Sequence, residues 1–383
     1  MTWSSPLLSL DGAVEAGGQD SGVAAHYGDP IREQRGLARA TAERPVAVDL
    51  SNRGVVSVSG EDRASWLTTL SSQVIDGLPA GASTEMTLLS AQGRIEYQPH
   101  VVVSEDTVWL IVEAGQNEGL AEFLESMRFM LRVEVRDETA DVAVIGSTVD
   151  LRGRAGVPAE AVAWQDPWPQ IGVGGTTYAG TSPHPGEGWQ YWEILVRKSA
   201  LASLRPEWAG TMALEALRIE AWRPRYATEV DARTIPHELD LMRTAVHMSK
   251  GCYKGQETIA RVHNLGHPPR RLVFLDLDGS EHTLPEPGSE VFAVGGKRAV
   301  GRITSAALHH EAGPIALAVI KRTVDPEAQL VVRDDTSHVA AEDAGGDSPE
   351  PAVVEYAAAQ TVIVSPDAGQ AVGRRNRDDF LKP

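Results

Sequence analysis

The sequence predicts an α+β fold in which two sheet-and-helix units are followed by a small β-barrel, and three observations predict it. Stretches of strand-like alternation are followed by stretches of helical spacing through the first two-thirds of the chain, the order of a sheet covered by helices on one side. Past Pro268 and Pro269 the texture changes to short apolar runs broken by Gly and Pro, the pattern of a small all-β barrel. With 383 residues, 42% of them hydrophobic, the chain can bury a large core divided between two or three domains.

Taken in order, residues 1–25 are rich in Gly, Ser and Ala without a period and are expected to form a disordered extension. Residues 54–60 have the β-branched enrichment of a strand, and 63–70 carry Trp66, Leu67 and Leu70 at helical spacing. Strands are expected over 86–89, 100–103 and 108–112, the last two forming a hairpin through Ser104, Glu105, Asp106 and Thr107. Leu120, Phe123, Leu124, Met127, Met130 and Leu131 then fall on one helix face, which predicts core rather than a cofactor box. A second unit follows, with strands over 141–146 and 193–196 and a helix through Met212, Leu214, Leu217, Ile219 and Ala221. Thr211 is its expected N-cap and Pro224 its limit. Barrel strands are expected over 272–275, 291–294, 300–304 and 316–320. The resulting divisions are 26–140, 141–267 and 268–335, then an acidic flexible tail over 336–383 in which 361–364 is a candidate closing strand.

The formal net charge of -18 argues against general attraction to nucleic acid or to an anionic membrane. No apolar run is long enough to span a bilayer and the first residues lack the basic start of a signal peptide, so a cytoplasmic protein is expected. A single cysteine, Cys252, excludes an internal disulfide and any all-cysteine metal or iron–sulfur site within one chain.

That cysteine lies in Lys250-Gly251-Cys252-Tyr253-Lys254-Gly255-Gln256-Glu257. Two readings stand: a small buried apolar residue, or a reactive thiol whose thiolate is favoured by nearby lysines and approached through flexible glycine backbone. Its surroundings are a basic island in an acidic chain. From Arg243 to Arg271 there are six cations and one acid, Glu257. This suggests a local site for an anionic small molecule, against the alternative of a solvated loop paired with distant acids.

The motif at 250–257 resembles the signature of the YgfZ-type folate-binding proteins, which are similar in fold to the glycine-cleavage T-protein, an aminomethyltransferase. The resemblance extends over about residues 26–335. It takes in His26-Tyr27-Gly28-Asp29-Pro30, Val48-Asp49-Leu50-Ser51 with Arg53-Gly54, Leu217-Arg218-Ile219-Glu220-Ala221, and Gly301-Arg302-Ile303-Thr304-Ser305. It implies a T-protein-like α+β fold, with two sheet domains around a central folate channel and a carboxy-terminal barrel. Tetrahydrofolate is the implied cofactor and no metal site is implied.

Residue by residue, the resemblance makes Cys252 the functional thiol, with Lys250 and Lys254 favouring the thiolate and Gln256 and Glu257 positioning the loop. Arg218 matches the helix arginine near folate, although an ordinary ion pair with Glu215 three residues earlier explains it equally well. Glu193 matches the glutamate that pairs with the pterin, a task suited to a carboxylate that accepts two parallel N–H donors. The alternative is a solvent-facing strand glutamate. In T-proteins an acidic pair follows a Gly-Gly turn, and one member is catalytic. The corresponding stretch here, Gln92-Gly93-Arg94-Ile95-Glu96-Tyr97, lacks the pair. Trp222 stands where a glycine is common. The implied function is that of a folate-dependent accessory protein supporting iron–sulfur cluster assembly or repair in client enzymes. The partners are then folate and iron–sulfur client or assembly proteins, with no nucleic acid and no membrane. The alternative is a tetrahydrofolate-dependent aminomethyltransferase or related one-carbon transferase.

Overall fold

The computed structural model describes residues 3–335 and 353–369. Six α-helices, α1 (Pro30–Ala38), α2 (Arg63–Leu70), α3 (Asn117–Ser126), α4 (Thr211–Glu220), α5 (Tyr226–Glu229) and α6 (Gln256–Leu265), surround two five-stranded sheets and a closed six-stranded barrel. The first sheet runs Glu134–Asp137, Gly54–Ser59, Thr107–Val112, His100–Val103 and Ser83–Glu85. It contains the expected hairpin, with Val103 opposite Val108. The second sheet runs Ala163–Gln165, Trp192–Arg197, Val142–Ser147, Val46–Asp49 and Glu207–Ala209, and only its last pair is parallel. Val46–Asp49 precedes every strand of the first sheet in sequence yet lies in the second, so a single cut near residue 140 does not separate the sheets.

The barrel order is Arg270–Leu277, Gly313–Lys321, Gly301–His309, Glu290–Ala293, Leu330–Asp335 and Val353–Val362. The last strand closes the ring against Arg270–Leu277, as a late strand was expected to do, but it starts well before residue 361. Alternation explains the difference. Tyr356 and Ala358 point inward between exposed Glu355, Ala357 and Ala359, and so weak an apolar signal is hard to read in an acidic stretch. Residues 336–352 and 370–383 of the expected acidic tail lie outside the described residues.

Three further expectations are corrected. Residues 3–25 are packed rather than disordered. Leu7 is buried in the core cluster with Ala143 and Ile145, Trp3 Nε1 donates to Ser51 Oγ at 2.9 Å, and Ser5 donates to the buried Asp49 carboxylate. A few well-spaced anchors hold the segment, and composition averages them away. The apolar stripe of α3 stops at Ser126. Phe129 turns at φ 48°, and Phe129 and Met130 project at 82% and 97% exposure, because the chain must reverse there to enter the strand at Glu134. Finally, Gly210 rather than Thr211 is the N-cap of α4. The Glu33 carboxylate accepts from its N–H at 2.9 Å, and a Cβ there would sit 2.0 Å from the Ala25 carbonyl oxygen. Among the described residues no helix is long and apolar enough to cross a membrane.

Candidate functional site

Residues from both sheets and from the chain following α4 line an internal cavity with a free volume of about 40 Å³. Its walls are unusually charged, including Arg53, Glu113, Glu193, Arg218, Arg223 and Arg225. Glu193, the second residue of Trp192–Arg197, is wholly buried, so the solvent-facing reading fails. Arg53 Nη1 donates to its Oε1, and His100 Nδ1 lies 2.8 Å from its Oε2. The His100 ring is held flat on Trp164, with ring centres 3.8 Å apart. Burial pushes the Glu193 carboxyl up, but the Arg53 and His100 charges outweigh it and hold the group down at about 2.

Arg218 lines the same cavity, but every N–H of its guanidinium is engaged by the protein. Nε and Nη2 donate to Glu215, Nη1 to Glu229 and the Arg223 carbonyl, and Nη2 also to Thr228 and to Ser305 of the barrel. The ion pair with Glu215 exists, yet it is interior rather than superficial, with Arg218 4% exposed. Arg218 therefore ties α4 to α5 and the barrel and has no donor left for a ligand.

Sequence reasoning missed Arg223 and Arg225, which follow α4. Arg223 spans Glu85 (3.2 and 2.9 Å) and Asp166 (2.9 Å), while Arg225 holds Glu113, Glu215 and Asp20. The available signal was three arginines at 218, 223 and 225 in an acidic chain. The partners Glu85 of Arg223 and Asp20 of Arg225 lie 138 and 205 residues away and leave no local trace. Trp222, between them and the helix, adopts φ 57°. This left-handed conformation is why glycine is common at such a place, and here the indole is held by edge contact with His184 and by Phe274.

Two buried atoms on residues of the cavity wall have no partner among the described residues, Arg53 Nε and Gln98 Oε1. Gln98 Nε2 donates to the Glu85 carboxylate at 3.1 Å, which identifies the other end of the amide as the oxygen. The cavity wall thus buries one unmatched donor and one unmatched acceptor.

The motif at 250–257 lies outside this cavity. Cys252 is exposed, so the buried-packing reading fails. Its neighbours fix the loop around it. Tyr253 is buried in a core cluster, and Gly255 turns at φ 85° to start α6. A Cβ on Gly255 would lie 2.6 Å from the Ser90 carbonyl oxygen, and one on Gly93 would lie 3.0 Å from Thr258, so the two turns meet through glycines. Gln256 Nε2 reaches the Lys250 carbonyl at 3.5 Å, and Glu257 stands exposed in the first turn of α6. Gly251 has open space around it. The lysines are committed elsewhere: Lys250 Nζ donates to the carbonyls of Thr68 and Ser71, where burial lowers it to about 8, and Lys254 pairs with Glu96 at 3.2 Å. Glu96 also lines a second, outer hollow that shares Tyr226 with the cavity.

Fold and site define a protein built like a T-protein, with a charged internal cavity and a separately presented thiol. The aminomethyltransferase T of the Bartonella henselae glycine cleavage system superimposes with a TM-score of 0.68 at 17% identity, covering 92% of this chain and 94% of that one. No family model matches the chain. Among curated relatives, a chloroplastic protein of Arabidopsis thaliana named as a transferase is 28% identical over 280 residues, 68% of this chain. The match spans 61% of that relative's length. An aminomethyltransferase of Corynebacterium jeikeium is 24% identical over 309 residues, 72% of this chain and 78% of that one. The tRNA-modifying protein YgfZ of Escherichia coli is 30% identical over 125 residues, 32% of this chain and 38% of that one. The resemblance to YgfZ-type, T-protein-like proteins is thereby borne out.

Proposed function

We propose that the chain binds a reduced folate in the inner cavity and acts as an accessory factor for iron–sulfur enzymes through Cys252. The observation that carries the folate reading is the pair of unmatched atoms, Arg53 Nε and Gln98 Oε1, beside the ionised Glu193. A buried donor or acceptor left unpaired costs about 1–3 kcal/mol, so a ligand edge offering both an acceptor and an N–H relieves two penalties at once. The pyrimidinone edge of a pterin offers both. The free volume of about 40 Å³ is far below the roughly 300–1,000 Å³ usual for small-molecule sites, so folate entry requires the wall to open.

The accessory role is supported by the exposure of Cys252 on a loop whose fixed points are Tyr253 and Gly255. Such a thiol suits transient chemistry, or a single ligand contributed to a site shared with a client or assembly protein. The single free cysteine suits a reducing compartment such as the cytoplasm. Aminomethyl transfer is less well supported. Glu96, which stands in the stretch corresponding to the acidic pair, holds Lys254 at the outer hollow and is absent from the inner lining. Direct work on tRNA, suggested by the name of the YgfZ relative, is opposed by a net charge of -18.

Calorimetry with tetrahydrofolate tests the reading. Wild-type protein is expected to bind, and Arg53→Lys, which lacks the Nε donor and the planar guanidinium, is expected to lose on the order of tenfold, a charge-assisted hydrogen bond being worth about 1.5–3 kcal/mol. No binding by folded wild-type protein overturns the folate reading.

A further inference from the structure

Arg225 is held in a way that singles out one of its partners. Its Nε and Nη2 face the Glu113 carboxylate at 2.9 and 2.7 Å, and Nη1 reaches Glu215 at 3.2 Å. The remaining edge, Nη1 and Nη2, is closed by both oxygens of Asp20 at 2.9 and 2.7 Å. Glu113 and Glu215 line the cavity, and each also faces a second arginine, Arg53 for Glu113 and Arg218 for Glu215. Asp20 is different. It comes from the connection between Val14–Glu15 and Ala24–His26, a two-stranded ribbon outside both main sheets.

That connection reads Ala16-Gly17-Gly18-Gln19-Asp20-Ser21-Gly22, with φ 60° at Gly18 and 90° at Gly22. Its base is anchored by buried Val23 and Ala24, and Gly22 could not carry a Cβ, which would fall 2.4 Å from the Trp3 carbonyl oxygen. At the tip the recorded side-chain ties are lighter: Asn52 Nδ2 to the Gln19 carbonyl at 3.2 Å, and Asp20 itself. The linked arginines Arg53, Arg218 and Arg225 face Glu113, Glu193, Glu215 and Glu229 besides Asp20, so the local charge balance does not require Asp20.

We propose that Arg225 is a binding position for the carboxylate of a cavity ligand and that Asp20 holds it closed, the two carboxylates competing for the same edge of the guanidinium. The exchange replaces one bidentate carboxylate with another, which conserves charge and geometry at Arg225. It leaves Glu113 and Glu215 in place, so the cavity wall persists while the glycine-rich tip moves. Identifying the natural ligand as a glutamate-tailed folate rests on the reading above. The competition itself does not.

The test is calorimetry on the full chain as wild type, Asp20→Asn and Asp20→Glu, with three probes: tetrahydrofolate, a tetrahydropterin without the benzoylglutamate, and glutarate. Asp20→Asn is expected to bind tetrahydrofolate on the order of tenfold more tightly, the equivalent of about 1.4 kcal/mol. It should bind the tetrahydropterin as wild type does, and bind glutarate where wild type does not. Asp20→Glu should return all three to wild-type behaviour. Wild-type values for tetrahydrofolate and glutarate in Asp20→Asn overturn the proposal, as does an equal change for tetrahydrofolate and tetrahydropterin. If no variant binds either pterin compound, the folate reading fails, and the glutarate comparison still decides whether Asp20 guards Arg225.

Discussion

The cavity wall and the cysteine loop handle charge in opposite ways. In the wall, Arg53, Arg218, Arg223 and Arg225 are all buried and all paired with carboxylates, those of Arg53, Arg223 and Arg225 including partners from distant parts of the chain. In the loop, Cys252, Lys254 and Glu257 are exposed, while Lys250, Tyr253 and Gly255 tie it to the body of the protein. A buried charge stripped of its partner is far more costly than an exposed one, because water no longer shares the field. Substitutions in the wall should therefore be read first as stability, and substitutions in the loop first as function.

The sharpest way to break this contrast is to remove one wall arginine. Arg223→Met strands two buried carboxylates, Glu85 and Asp166, and should destabilise the fold by about 3–5 kcal/mol in urea unfolding. A loss below 1 kcal/mol would mean that the wall is not the structural charge network described above.

Acid should attack the wall as well. Glu193 and Glu215 are both held down at about 2, against an ordinary 4.5, by arginines that outweigh the effect of burial. A lowered carboxyl stabilises the folded state above its unfolded value and loses that contribution as pH falls toward its folded value. Stability should thus decline between about pH 4.5 and 2, each group contributing on the order of 3 kcal/mol. Glu193→Gln should flatten the slope in that window, measured as urea midpoints against pH. An unchanged slope would remove Glu193 from the network.

Within the loop, two glycines separate anchor from tether. Gly255→Ala meets both a left-handed backbone and the Ser90 carbonyl oxygen, and should cost about 1–3 kcal/mol. Gly251→Ala meets open space and should stay within about 0.5 kcal/mol. Equal thermal stability of the two variants would show that the loop does not dock against the Ser90–Gly93 turn.

The same contrast explains what was legible in the sequence. The hairpin at 100–112, helix α4 and the barrel strands have local signatures, period-two or helical spacing bounded by turn residues, and these stand where expected. The loop was legible too, because its chemistry is contiguous. The wall was not: Asp20 with Arg225 and Glu85 with Arg223 are pairs separated by 205 and 138 residues, and no periodicity links such positions. Glu193 and Arg218 were found through resemblance and Glu215 through its i, i+3 spacing, but Arg53, His100, Glu229 and Ser305 were not, and these partners decide the role of each. For Arg218 they consume every donor. The packing of residues 3–25 escaped for a related reason, since a segment held by Trp3, Ser5 and Leu7 looks disordered when averaged over its glycines.

The smallest expected effect on stability is also the one that tests function most directly. Cys252 is exposed, and the residues that hold its loop, Tyr253 and Gly255, do so without the thiol. Cys252→Ser should therefore unfold within about 0.5 kcal/mol of wild type and bind tetrahydrofolate equally well. Cells relying on it should nonetheless lose activity of iron–sulfur enzymes, most visibly under oxidative stress, because a hydroxyl neither ionises near neutral pH nor ligates iron as a thiolate does. Unfolding of the variant would make the thiol a packing residue despite its exposure. Full support of cluster enzymes by a folded variant would make it a bystander, and would shift the reading of the cavity toward one-carbon transfer.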